Sequence, residues 1–167
     1  MPLDKVDLSK YLSDVFIETG THRGDGVRRA LEAGFEDVRT CDVDASFLGR
    51  IPANLRDDPR VMIGYGSSER WMLEFCYFAE YRSATFWLDA HPNGELSFDD
   101  CPLADELRVI MAHAPMLSGI TILIDDMRLW SKDDQQRIQS CVEAIRPDAK
   151  VYRINGHCEN DILVGQM

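Results

Sequence analysis

A chain of 167 residues is long enough to bury one substantial core and too short for two ordinary domains, so residues 1–167 are read as a single domain with residues 1–14 as a short N-terminal segment. Eighteen Lys and Arg against 29 Asp and Glu leave a net charge of −11, which repels a phosphate backbone, and no basic cluster offsets it locally. No apolar run approaches the roughly 20 residues a membrane-crossing helix needs, and the first ten residues lack the basic start and apolar stretch of a secretory leader. The expectation is therefore a cytoplasmic protein that meets small molecules rather than nucleic acid or membrane. Five cysteines, odd in number and never spaced Cys-x-x-Cys, argue against a disulfide framework or a zinc knuckle. His157 beside Cys158 has no partners at ligand spacing and reads as loop.

Strand-like and helix-like runs alternate along the chain, the pattern of a parallel sheet covered by helices. A first strand is expected over Val15–Thr19, then a helix over Gly24–Gly34 with Val27, Ala30 and Leu31 on one face and a glycine at its C-terminal end. Asp37–Val43 follows as a strand, Ala45–Leu55 as a helix interrupted by Pro52, Val61–Tyr65 as a short strand and Glu69–Tyr81 as an aromatic-rich helix. Thr85–Asp89 is the fourth strand. Pro92–Leu103, rich in turn residues, reads as a loop long enough to cover a site. Ala104–Ala114 is a helix, Thr121–Ile124 an all-but-apolar fifth strand, and Ser131 opens a helix that ends before Pro147. Lys150–Ile154 and Ile162–Gly165 close the chain as a strand pair joined through residues 155–161. Trp71, Phe75, Met111 and Met116 are assigned to core packing, whereas Met127 and Trp130 suit either a pocket wall or burial under the following helix.

The run Glu18-Thr19-Gly20-Thr21-His22-Arg23-Gly24-Asp25-Gly26 sets an acid at the tip of an apolar strand and three glycines before a helix. Glycine permits a tight turn and close approach to a ligand, and the helix behind it points unpaired N–H groups at whatever is bound. The spacing is G-x-x-x-G-x-G, not the G-x-G-x-x-G of dinucleotide folds. An acid at the strand tip would crowd a pyrophosphate but accept hydrogen bonds from an ammonium group. Asp42, 22 positions beyond Gly20, stands where a carboxylate reaches ribose hydroxyls. Each carboxylate alone could be an ordinary strand-end residue; their placement after successive strands argues for a shared purpose.

These residues, with Gly66-Ser67-Ser68 after the third strand, resemble the cofactor signature of class I S-adenosylmethionine (SAM)-dependent methyltransferases over roughly Val15 to Gly165. The resemblance implies an α/β, Rossmann-like fold: an open, mostly parallel sheet of about seven strands, helices on both faces and a terminal antiparallel hairpin. It also implies that Glu18 and Gly20 lie near the methionine end, that Thr21 and Gly24 belong to the same cofactor site, that Asp42 holds the ribose, and that Ser67 and Ser68 flank the adenine. Many members carry an acid at or beside that serine pair, where this chain has serine.

Strands four and five each run directly into aspartate: Leu88-Asp89-Ala90-His91 and Ile124-Asp125-Asp126. In a parallel sheet both project from the edge on which the glycine loop opens, and three carboxylates in a small space need a compensating charge. Hard oxygen ligands suit Mg²⁺. The arrangement is similar to metal-dependent O-methyltransferases of the catechol and macrolide-sugar type, which implies Asp89, Asp125 and Asp126 as metal ligands, with Asp89 also beside the cofactor. The ion would orient a substrate hydroxyl, and His91 is either the base that receives its proton or a loop histidine. The lysine near this position in the catechol enzyme is missing.

Three readings remain open at this point. The chain is a methyltransferase acting on a small-molecule hydroxyl, a non-catalytic SAM-binding module of the same fold, or, against the glycine spacing, a nicotinamide-dependent dehydrogenase. With only about fourteen residues before strand one, a substrate wall is expected from the Pro92–Leu103 loop, from a second subunit or not at all, which leaves a homo-oligomer open.

Overall fold

A computed structural model of the chain describes residues 5–75, 80–90 and 97–167. Seven strands form one sheet: β1 (Val15–Thr19), β2 (Val38–Asp42), β3 (Val61–Tyr65), β4 (Ser83–Leu88), β5 (Gly119–Ile124), β6 (Lys150–Ile154) and β7 (Ile162–Gln166), in the order β3-β2-β1-β4-β5-β7-β6. Strands β1 to β5 pair in parallel, and β7 runs antiparallel to both β5 and β6. The fold is the expected one.

Alternation along the central strands supplies two cores. Val15, Ile17, Phe86, Leu88, Ile122 and Ile124 face one side, and Phe16, Trp87 and Leu123 face the other. The first side is closed by α4 (Ser68–Phe75), α5 (Leu103–His113) and α6 (Lys132–Ile145), through Trp71, Met72, Leu107, Ile110, Ile138 and Val142. The second is closed by α1 (Asp25–Ala33) and the short helices α2 (Ala45–Leu48) and α3 (Ala53–Arg56), through Val27, Ala30, Ile51 and Leu55. Strands buried on both faces are nearly continuous in apolar residues because no face is left to water.

Local chemistry sets the helix ends. Gly34 ends α1 in a left-handed conformation, and Ser131 caps α6 by accepting the Asp134 N–H. The expected helix over 45–55 is instead two single turns: Pro52 has no N–H to continue the first, and it stands at the start of the second. The expected helix over 69–81 starts at Ser68, and its final turn falls partly outside the described residues. Of the residues assigned to packing, Trp71 is buried, but Met111 and Met116 are exposed. Among the described residues no helix is long and apolar enough to cross a membrane.

The chain leaves β1 for α1, β2 and β3 on one side and returns to β4 on the other. This reversal between β1 and β4 is a topological switch point, where the C-terminal ends of adjacent strands part and leave a crevice for a ligand.

Candidate functional site

At the tip of β1 the carboxyl of Glu18 lies inside the protein, 3% exposed. Its Oε2 accepts the Thr40 hydroxyl at 2.7 Å, and the hydroxyls of Thr40 and Thr21 lie 2.6 Å apart. Oε1 occupies the space that a Cβ on Gly26 would need, so the first turn of α1 closes directly over the carboxyl. Glycine at 26 is thus required by close approach. Burial, opposed by the Thr40 hydrogen bond and reinforced by Asp89, Asp25 and Asp42, pushes the Glu18 pKa up to about 8.

Gly20 turns the chain at φ +90°, and its N–H and that of Thr21 both reach the Cys41 carbonyl, at 2.9 and 3.1 Å. A Cβ there would lie 2.9 Å from the carbonyl oxygen of Asp89, because the turn abuts the backbone leaving β4. The Asp89 N–H in turn reaches the Thr19 carbonyl at 3.2 Å, so the ends of β1, β2 and β4 are tied together. Gly24 faces inward: its absent Cβ would be 3.1 Å from Ile51 Cγ2, and its N–H closes a turn onto the Thr21 carbonyl. Its place is against α3 and the residues before it, which gives it a packing explanation.

Asp42 ends β2 with both carboxylate oxygens fixed. Oδ2 accepts the His22 N–H and Oδ1 the Asp44 N–H, each at 2.9 Å, which leaves lone pairs on both oxygens for further donors. Asp44 differs: its carboxylate caps α2 by accepting the Ser46 N–H at 2.8 Å. Of the two acids after β2, Asp42 is the one aimed along the glycine turn.

The serine pair divides. Ser67 is half-buried and its carbonyl starts α4, whereas Ser68 is buried and its hydroxyl donates to Glu106 of α5, a carboxyl only 1% exposed. Ser68 is therefore already committed to a partner within the chain. The acid beside Ser68 thus comes from 38 positions away in the chain. Sequence reasoning missed Glu106, although a signal exists: it falls among Leu103, Leu107 and Ile110 on the buried stripe of α5, where a charge is out of place.

Beyond β4 and β5 the expected trio of Asp89, Asp125 and Asp126 is not the one that gathers. Among the described residues, the acidic group whose oxygens approach within 4.8 Å of one another is Asp125, Asp126 and Asp161, the last from the β6–β7 connection. Asp89, half-buried, stands between Glu18 and Asp125 and raises the pKa of both. Asp125 is 1% exposed; its Oδ1 accepts the Asp126 N–H at 2.7 Å and its Oδ2 has no partner. Burial first, then Asp89, pushes its pKa up to about 8.

Asp126 and Asp161 are both bonded by the guanidinium of Arg128, and Asp161 also accepts the backbone N–H groups of Arg128 and His157, at 3.3 and 3.0 Å. Asp125 offers a divalent ion an orphaned oxygen, but the other two carboxylates already hold a cation. The set as it stands does not fit Mg²⁺. The compensating charge that three carboxylates require is present, as an arginine. Asp161 rather than Asp89 joins Asp125 and Asp126 because β7 lies antiparallel beside β5 and brings Asp161 to the Asp125 end.

His91 lies outside the described residues, as does the start of the expected loop over 92–103. In the rest of that loop Ser97, Asp99 and Asp100 are exposed, but Phe98 is buried edge-on against Trp130 with ring centroids 6.4 Å apart, under the Arg137 guanidinium. Met127 and Trp130 are buried, and Trp130 also lines a small cavity with Leu88, Cys101 and Glu106. His157 and Cys158 are exposed loop residues.

No family model matches this sequence, and no curated protein does. Solved structures do resemble the fold. The O-methyltransferase TomG from Streptomyces achromogenes, in complex with SAM, superposes with a TM-score of 0.66 at 15% identity over 96% of this chain and 75% of its own. SMU.1697c from Streptococcus mutans, in complex with SAH, gives 0.65 at 14% identity over 99% and 96%. Spermidine synthase from Thermotoga maritima gives 0.59 at 14% identity over 96% and 55%. The chain thus has the fold of class I SAM-dependent methyltransferases, a fold that also serves a spermidine synthase.

Proposed function

We propose that this protein is a SAM-dependent methyltransferase that transfers the methyl group to a hydroxyl of a small molecule. One observation carries the choice of cofactor: the N-terminal turn of α1, where dinucleotide folds seat a pyrophosphate, is taken by the chain's own Glu18 carboxyl, packed onto Gly26. A bound pyrophosphate would meet that acid together with Asp25, Asp42 and Asp89. A sulfonium nucleotide, which brings a positive charge and no phosphate, is favoured by the same field.

In this reading the methionine end lies over the Gly20 turn, the ribose hydroxyls donate to Asp42, and Ser67 flanks the adenine. The sulfonium lies on the Asp89 side of the crevice. An acceptor hydroxyl entering past β4 and β5 attacks the methyl carbon as the carbon–sulfur bond breaks, and its proton passes to a base, the role we give His91. No metal takes part in these steps. The acceptor is a small molecule in this reading, and its setting is the cytoplasm, where thiols such as Cys41 and Cys101 stay reduced.

Calorimetry with SAH tests the ribose assignment. Asp42→Ala removes the acceptor on β2 and is expected to weaken SAH by about 1.5 to 3 kcal/mol, the range for a hydrogen bond to a charged group, or roughly 10- to 150-fold. An affinity equal to that of the wild type would remove Asp42 from the site and move the ribose role to Asp44, whose second carboxylate oxygen is not used in capping α2. With methyl-labelled SAM, the label is expected on the oxygen of a hydroxylated acceptor; label on nitrogen only, or release of methylthioadenosine with transfer of the aminocarboxypropyl group instead, would contradict the reaction.

A further inference from the structure

We infer that Arg128 is the resident cation of the acidic cluster beyond β5, and that its guanidinium keeps this cluster from binding divalent metal. One oxygen each of Asp125, Asp126 and Asp161 lies within 4.8 Å of the others, a donor set of hard oxygens that would ordinarily ask for Mg²⁺, Mn²⁺ or Ca²⁺. Asp125 and Asp161 are each 1% exposed, so water does little to solvate either carboxyl.

Arg128 answers that demand from within the chain. Its Nη1 donates to Asp126 Oδ1 and to Asp161 Oδ2, so one nitrogen bridges two of the three carboxylates. Its backbone N–H donates to Asp161 Oδ1 at 3.3 Å, and the neighbouring Met127 N–H to the Asp161 carbonyl at 2.8 Å. Arg128 and Asp161 are 33 positions apart, so the pair fastens the segment after β5 to the β6–β7 connection. An arginine cannot deprotonate to release the site, and its bonds to both carboxylates occupy oxygens that an ion would need. The unpartnered Oδ2 of Asp125 is a buried oxygen left over, a lone pair still in need of a donor or an ion.

Removing the charge should therefore create a metal site. The experiment titrates Mn²⁺ into the full chain, read by electron paramagnetic resonance of the free ion and by thermal melting. Wild-type protein is expected to bind Mn²⁺ no tighter than the millimolar range and to melt at the same temperature with or without it. Arg128→Gln, which keeps donors but no charge, and Arg128→Ala are expected to bind at least tenfold tighter and to gain melting temperature with Mn²⁺. Arg128→Lys, which restores the charge, should reverse the gain, and Asp161→Asn added to Arg128→Gln should abolish it. Micromolar Mn²⁺ binding by the wild type would overturn the inference whether or not the variants fold. So would folded Arg128→Gln protein that binds no tighter than the wild type. The readout is the ion, so failure here leaves the methyl-transfer reading standing, and failure of that reading leaves this one.

Discussion

Valine in place of Gly20 is expected to abolish detectable SAH binding, a loss of at least about 100-fold, or roughly 2.7 kcal/mol. Two independent causes act at this position. The backbone holds φ at +90°, a region that a β-branched residue adopts only under strain of order 1 to 3 kcal/mol. The new Cβ would also stand 2.9 Å from the Asp89 carbonyl oxygen, a backbone atom tied to β1 that cannot swing aside as a side chain could. Relief requires the Gly20 turn to move away from β4, into the space assigned to the methionine end. Calorimetry should show no heat with SAH, while circular dichroism shows a folded protein with a lowered melting temperature. Binding within threefold of the wild type would remove the Gly20 turn from the cofactor site.

The second large effect is on stability against pH. Glu18 and Asp125 both have folded pKa values near 8, well above the 4.5 and 3.8 of exposed groups, chiefly because burial disfavours their charged forms. Between those limits the folded chain holds protons that the unfolded chain has released. The contribution of each group is thus fully present below its unfolded pKa and is lost as pH rises to about 8. Each tenfold difference in proton affinity between the folded and unfolded chain is worth about 1.4 kcal/mol, so the loss is on the order of 5 kcal/mol per group. Glu18→Gln keeps an acceptor for the Thr40 hydroxyl without titrating, so it should match the wild type near pH 5 and be more stable at pH 8.5. Asp125→Asn should behave alike. Urea unfolding at both values checks this, and a wild-type-to-variant difference that does not grow with pH would show that these carboxyls ionise freely in the folded protein.

Much of the layout is legible in the sequence because it is written in short-range patterns. Strands such as Ile122-Leu123-Ile124 are apolar throughout, as burial on two faces demands, and the glycines after β1 announce a tight turn. Asp42 can be singled out from its distance beyond Gly20. What is not legible depends on elements far apart in the chain. Asp161 reaches Asp125 only because β7 inserts antiparallel beside β5, and Glu106 meets Ser68 only because α5 packs on α4. The gathered acidic trio differs from the expected one for that reason: Arg128, two positions past Asp126, is a legible partner for these carboxylates, but that its guanidinium bridges Asp126 to Asp161 depends on the distant β6–β7 connection. The split of the 45–55 helix is open to view in Pro52, whose missing N–H makes two turns of what the apolar pattern reads as one.

A cofactor seated at the ends of β1 and β2 is tested most directly by a crystal structure of the protein with SAH. The ribose hydroxyls should lie within hydrogen-bonding distance of both oxygens of Asp42, with the homocysteine moiety over the Gly20 turn and the thioether sulfur on the Asp89 side. Glu18 should remain beneath, against Gly26 and Thr40. SAH bound elsewhere, or a Glu18 side chain swung out so that the N-terminal turn of α1 is open to a phosphate, would contradict it.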